Sequence, residues 1–188
     1  MTSAIKTLKF SDGTVVDLTH GPSTFTWIGS AGYSVTGSSF GANTFELNGG
    51  VETVTGGNNG NNTYIASSAT GQAIIYPNEK PGSFNELDFI GGITDENLWF
   101  VQSGNDLTID VLGTNSSVTV KGWFSNSANQ LQEIEAGGLK IDSQISQLVQ
   151  AMATYSANNT GFDPTSSSIH TLPNDTALQG AVTAAWHA

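Results

Sequence analysis

Four glycines set the tightest constraint on how this chain can fold. Within residues 29–65, Gly32, Gly41, Gly50 and Gly60 recur at steps of nine, nine and ten. Two positions after each stands a small polar or acidic residue: Ser34, Asn43, Glu52 and Asn62. An apolar or aromatic residue follows each: Val35, Phe45, Val54 and Tyr64. A period this short suits one turn of a coil of short parallel strands, with glycine in the tight turns and one apolar side chain per strand pointing inward. A single turn cannot bury that side chain alone, so the turns must stack.

The stretch resembles the glycine-rich nonapeptide of RTX proteins, GGxGxDxUx. Its last residues, Gly57-Asn58-Asn59-Gly60-Asn61-Asn62-Thr63-Tyr64-Ile65, are similar to that family's GGxGNDTYxF ending. The resemblance implies two stacked rows of turns that trap calcium, with backbone carbonyls and the sixth-position aspartate as hard oxygen ligands. None of the four sixth positions here is Asp. Ser34 and Asn43 are neutral, Glu52 is one methylene longer, and Asn62 keeps the oxygen without the charge. Two readings stay open: a coil with weak calcium affinity, and a metal-free coil held by apolar stacking and backbone hydrogen bonds.

Sixteen acidic residues face five basic ones, which argues against a nucleic-acid surface and against attraction to anionic lipid. The chain has no cysteine, so disulfides, thiolate nucleophiles and Cys-based zinc sites are excluded. No apolar run approaches the length of a membrane span, and the start MTSAIKTLKF lacks the blocks of a cleavable secretory signal.

Before the coil, residues 5–18 read as a β-hairpin around Ser11-Asp12-Gly13, and Phe25 and Trp27 alternate with Thr24 and Thr26 in a half-buried strand. The first unit is 1–28, and the coil with its exit loop is 29–83. Residues 84–142 read as an antiparallel meander with one wet face. Its strands centre on Leu87 and Phe89, on 98–101, on Leu107, Ile109 and Val111, on Val118 and Val120, and on 131–135 and 139–141. This third unit is similar to the haemolysin-type calcium-binding-protein-related domain that accompanies RTX repeats. The residues that carry the likeness are Gly104-Asn105-Asp106-Leu107, Val118-Thr119-Val120, Trp123-Phe124 and Ile134-Glu135. The opening LKFSDGTVVD resembles the closing strand-turn of the same domain type, which implies a module from a tandem array or a truncated descendant of one.

Residues 143–188 form the fourth unit. Asp142 or Ser143 is placed to cap a helix whose stripe is Ile145, Leu148, Val149, Met152 and Tyr155. Asn174 or Asp175 is placed to cap a second, with Leu178, Val182, Ala185 and Trp186 as its stripe. The family resemblance implies that this C-terminal segment, with Leu178, Val182 and Trp186, is an uncleaved signal read by a type I exporter. The alternative is a helix that docks on the sheet and closes the core.

No catalytic constellation stands out. His20, His170 and His187 are far apart and carry no H-E-x-x-H spacing. Candidate calcium ligands are Glu52, Asn62 and Asn43 in the coil, with Glu86 and Asp88, which alternation puts on one face of a strand. Asp12 and Asp17 add carboxylates in the first hairpin. Trp99 alternates with Leu98 and Phe100, so one side must be exposed unless both faces are covered. It is the ring singled out for a glycan or small molecule, with a core role as the alternative. The expected fold is mostly β: a short degenerate parallel β-roll stacked on an antiparallel meander, with two C-terminal helices. The expected function is that of a non-catalytic, secreted RTX-type folding and export module with weak or vestigial calcium binding. The alternative is a secreted ligand-binding or adhesive module.

Overall fold

A computed structural model describes residues 7–9, 11, 15–17, 24–39, 41–57, 61–77 and 82–188. The first two strands, β1 (Thr7–Lys9) and β2 (Val15–Asp17), pair antiparallel in a small sheet of their own. The turn residues Asp12 and Gly13, His20 and Gly60 lie outside the described residues.

From β3 (Thr24–Ile28) the chain winds into a flattened coil. Successive strands alternate between two sheets: β4 (Ser34–Thr36), β5 (Ala42–Glu46), β6 (Val51–Thr55), β7 (Asn62–Ala66), β8 (Gln72–Tyr76) and β9 (Asn85–Phe89). One sheet takes β3, β5, β7 and β9 and the other β4, β6 and β8, all in parallel register. Gly32 and Gly50 sit in the tight turns with φ of 74° and 105°, the left-handed region that glycine enters without a Cβ clash. Every second side chain of each strand points between the sheets. Trp27, Phe45, Tyr64 and Leu87 thus form one continuous inner row, and Val35, Val54 and Ile75 face them from the other sheet. Phe45 and Tyr64 stack with ring centroids 5.2 Å apart.

The strands after residue 89 extend these same two sheets. β10 (Leu98–Ser103), β11 (Asp106–Val111) and β12 (Ser117–Val120) are antiparallel to one another, and β12 joins β8 in parallel. β13 (Glu133–Ala136) joins β9 in parallel on the other sheet and turns back into β14 (Leu139–Ile141). The fold is therefore mostly β, two six-stranded mixed sheets with two C-terminal helices. The meander differs from the sequence reading in one respect. Its strands are divided between the sheets and continue the coil edge to edge, so residue 83 marks no break in either sheet and one hydrophobic core runs through both parts. The cause is the inner-row continuity: Leu87 hands on to Ile134 and Ile141, and Ile75 to Val120 and Leu107.

Helices α1 (Ile145–Asn158) and α2 (Thr176–Ala185) close this end of the coil. A sheet edge exposes unpaired N–H and C=O groups. Here α1 lies against the edge strand β10, where the Phe100 N–H is directed at Met152 Sδ. After α2, His187 exchanges two backbone hydrogen bonds with Lys140 on the other edge strand, β14. Asp175 caps α2 by accepting from the N–H groups of Ala177 and Leu178. Neither Asp142 nor Ser143 caps α1. Its N-cap is Gln144, with φ of 40° and no side-chain cap bond, because the chain leaves β14 by a tight turn.

Candidate functional site: an asparagine ladder and a buried glutamate

The parallel register puts Asn43 beside Asn62 and Asn62 beside Asn85, at the head of β5, β7 and β9. All three point inward and are at most 1% exposed. Buried amides need partners for every polar atom, and this stack supplies most of them. Asn43 Nδ2 donates to Asn62 Oδ1 at 2.9 Å, and Asn62 Nδ2 donates to Asn85 Oδ1 at 2.6 Å. Asn43 and Asn62 also close the turn before their own strands, whereas Asn85 Nδ2 is buried without a partner. Asn43 Oδ1 accepts from the Ser38 N–H at 2.7 Å and Asn62 Oδ1 from the Gly57 N–H at 3.0 Å. Gly57 has no Cβ for a direct reason: one would lie 2.2 Å from Asn43 Nδ2.

The ladder decides which of these residues can hold a cation. An amide oxygen has two lone pairs. Asn43 Oδ1 uses both, on Ser38 and on the indole N–H of Trp27 at 3.2 Å. Asn62 Oδ1 uses both, on Gly57 and Asn43. Asn85 Oδ1 uses both on Asn62, backbone and side chain. Asn43 and Asn62, candidate ligands on sequence, are therefore engaged as rungs, with no oxygen lone pair left for calcium. Asn85 is a rung that the glycine spacing did not reveal. Its signal is the repeated opening Asn-x-apolar of Asn43-Thr-Phe, Asn62-Thr-Tyr and Asn85-Glu-Leu.

Glu52 heads β6 on the opposite sheet, where its neighbour Ala73 offers no rung. It is 1% exposed, and neither carboxylate oxygen makes a well-formed hydrogen bond. Burial pushes its carboxyl up to about 7, only partly offset by the Asn48 backbone. Gly29 makes room for it: a Cβ there would lie 1.7 Å from Glu52 Oε2, and 3.1 Å from the Glu46 carbonyl oxygen. An orphaned buried carboxylate near a backbone carbonyl is the donor chemistry a hard cation takes. Of the three coil candidates, Glu52 alone keeps side-chain oxygens without a well-formed hydrogen bond.

Glu86 and Asp88 lie on the outer face of the other sheet. The register brings them beside Glu133 and Glu135 of β13, a pairing that alternation within one strand could not reveal. Glu86 accepts from Thr63 Oγ1 at 2.7 Å, and Lys140 Nζ lies 3.3 Å from Glu133. Burial, then repulsion from Glu86 and Glu133, pushes Asp88 up to about 6. A hydrogen bond with Glu133, then burial, raises the Glu135 carboxyl. Among the described residues no group of three or more His, Cys, Asp or Glu side chains converges with metal-binding geometry.

Trp99 is not a solvent-facing ring. It is 2% exposed, with Phe162 at 4.5 Å and Tyr155 at 6.0 Å between centroids. Both faces of β10 are covered, the case in which alternation leaves neither side exposed. A cavity of about 760 Å³ opens between β10 and α1, but the indole is a wall of the core there. Leu178, Val182 and Trp186 are also buried, and Trp186 packs edge-on to Phe100 at 6.3 Å. Asp106 is a turn anchor. Burial pulls its carboxyl up, but the Lys121 ammonium and the Gly122 N–H outweigh that and hold it below its ordinary value.

Residues 106–144 match the family model described as haemolysin-type calcium binding protein related domain. Over that stretch the chain is similar to RTX-type proteins. The match spans β11 to β14, the strands that extend the coil. It supports an RTX-like, haemolysin-type classification, a family of calcium-binding, typically non-catalytic and typically secreted proteins. Among the described residues no helix is long and apolar enough to cross a membrane.

Proposed function

We propose that this chain is a non-catalytic, extracellular RTX-type folding and export module in which hydrogen-bonded amides have replaced one row of ions. The observation that carries the reading is the hydrogen-bonded ladder of Asn43, Asn62 and Asn85, whose first two rungs stand where the resemblance puts ion-holding aspartates. In a metal-dependent roll, ion binding supplies folding free energy. Here the same turns are tied by amides, so the coil closes without an ion on that side. Glu52 would hold the one remaining calcium, through its carboxylate and a neighbouring backbone carbonyl. A bound calcium there would supply positive charge to a carboxylate that burial otherwise leaves uncompensated.

The C-terminal helices bear on export. Leu178, Val182 and Trp186 support the core once the chain has folded, so a type I exporter would read them on the unfolded chain. They serve first as a signal and then as the cap of the coil. Thermal unfolding in millimolar calcium and in chelator tests the metal part. The wild-type midpoint is expected to rise modestly with calcium, and Glu52→Gln to abolish the rise. An equal rise in Glu52→Gln would remove Glu52 from the account. Export is tested by secretion through a type I exporter of a chain carrying Leu178→Ser and Val182→Ser. Undiminished secretion would defeat the signal assignment.

A further inference from the structure

The two ends of the coil are treated differently. At the C-terminal end, α1 and His187 cover both sheet edges. At the other end, among the described residues, β3 pairs only with β5 and β4 only with β6. Solenoids need a polar cap or a partner at such an end. Natural sheet edges are protected by charges, proline or bulges. β3 reads Thr-Phe-Thr-Trp-Ile and has none of these. Its Phe25 and Trp27 are half-buried and stacked at 6.4 Å, and Ile28 is 64% exposed.

Charge identifies the occupant. The chain carries a net charge of −11, yet no Asp, Glu, Lys or Arg occurs between Asp17 and Glu46. Two copies would repel at most other surfaces, whereas neither β3 nor β4 brings a charge to this end. We infer that the β3–β4 end, unpaired among the described residues, is a self-association surface, and that a second copy of this chain completes it by antiparallel edge pairing about a two-fold axis. An axis perpendicular to both sheets pairs β3 with its counterpart and β4 with its counterpart in one operation, as an isologous contact requires. Centred on Thr26, the pairing sets Phe25 against the partner copy's Trp27 and continues the inner apolar row across the junction.

Thr26 is exposed and points away from the core, so it can be changed without disturbing the roll. Antiparallel partners have Cα atoms about 4.5–5.5 Å apart, inside the window of about 4.4–6.8 Å that a disulfide needs. The full chain has no cysteine, so Thr26→Cys reports cleanly. Under oxidation it is expected to form a covalent dimer, while Thr44→Cys, one strand inward on the same outer row, does not. In sedimentation velocity the wild type is expected to reach twice the monomer mass as concentration rises. Thr26→Lys is expected to stay monomeric with an unchanged circular dichroism spectrum. A wild type that is monomeric at millimolar concentration would overturn the inference. So would a dimer that survives Thr26→Lys, a ladder of species beyond the dimer, or slow amide exchange along β3 in the monomer, which would mean that another part of the same chain covers the edge.

Discussion

Removing the middle rung is the most informative single change, because the cost can be worked atom by atom. In Asn62→Ala the Gly57 N–H loses its acceptor inside the coil, and Asn85 Oδ1 keeps only the backbone N–H of residue 62. Asn43 Nδ2 loses its partner at 2.9 Å but retains the carbonyls of Ser38 and Gly41. One buried N–H left without a partner costs about 1–3 kcal/mol, and each lost amide–amide bond about 1 kcal/mol. The sum is roughly 3–5 kcal/mol, a large share of the 5–15 kcal/mol or so typical of a domain. For a chain of this size each kcal/mol shifts the midpoint by about 2–4 °C, so a fall on the order of 10 °C is expected. Urea unfolding with chelator present measures it directly. Asn43→Ala should cost less, because the Trp27 indole it releases is half-buried and can turn to water. A loss under about 0.5 kcal/mol for Asn62→Ala, the level of an ordinary surface change, would refute the view that the amides hold the coil.

Other perturbations have equally definite outcomes. Glu52 has its folded pKa raised to about 7 from 4.5, so the folded state holds the proton more tightly than the unfolded chain. Its burial is best tolerated at low pH, and that stability is lost as pH rises towards about 7. Asp88, raised to about 6, acts in the same direction. Glu52→Gln should flatten the decline of urea midpoint between about pH 5 and pH 8, and an unchanged slope would exclude Glu52 as its source. Gly57→Ala should destabilise the coil by forcing Asn43 off its rung, seen as a lower thermal midpoint and faster exchange of the Ser38 amide. Trp186→Ala should cost about 3–5 kcal/mol in urea unfolding, as for other buried aromatics. For the same reason, deleting residues 171–188 should expose the β14 edge at Lys140 and the core beneath α2, read as increased dye binding to apolar surface.

Much of the coil was legible in the sequence, because its two determinants are local. Glycine spacing fixes the turns, and one apolar residue per strand fixes the inner row at Phe45, Val54 and Tyr64. The meander strands were also legible from alternation. What escaped was long-range register. Nothing local says that β12 joins β8 and β13 joins β9, so the sharing of both sheets across residue 83 could not be read. The same blindness hid Asn85 as the third rung and set Glu133 and Glu135 beside Glu86 and Asp88 unannounced. Asn43 and Asn62 were singled out by their place two residues after a glycine, as candidate calcium ligands. Their chemistry depended on what lay in the next coil, 19 residues on. Alternation left the burial of Trp99 open for a related reason, since it carries no information about a segment such as 155–162 folding over the outer face of β10.

The most direct test of the account is amide hydrogen exchange of the wild-type chain in excess chelator. The account requires a cooperatively folded roll in which the Ser38 and Gly57 amides, held by Asn43 and Asn62, exchange as slowly as the core strands. A chain that exchanges those amides freely until calcium is added would contradict it, because ions and not asparagines would then be closing the turns.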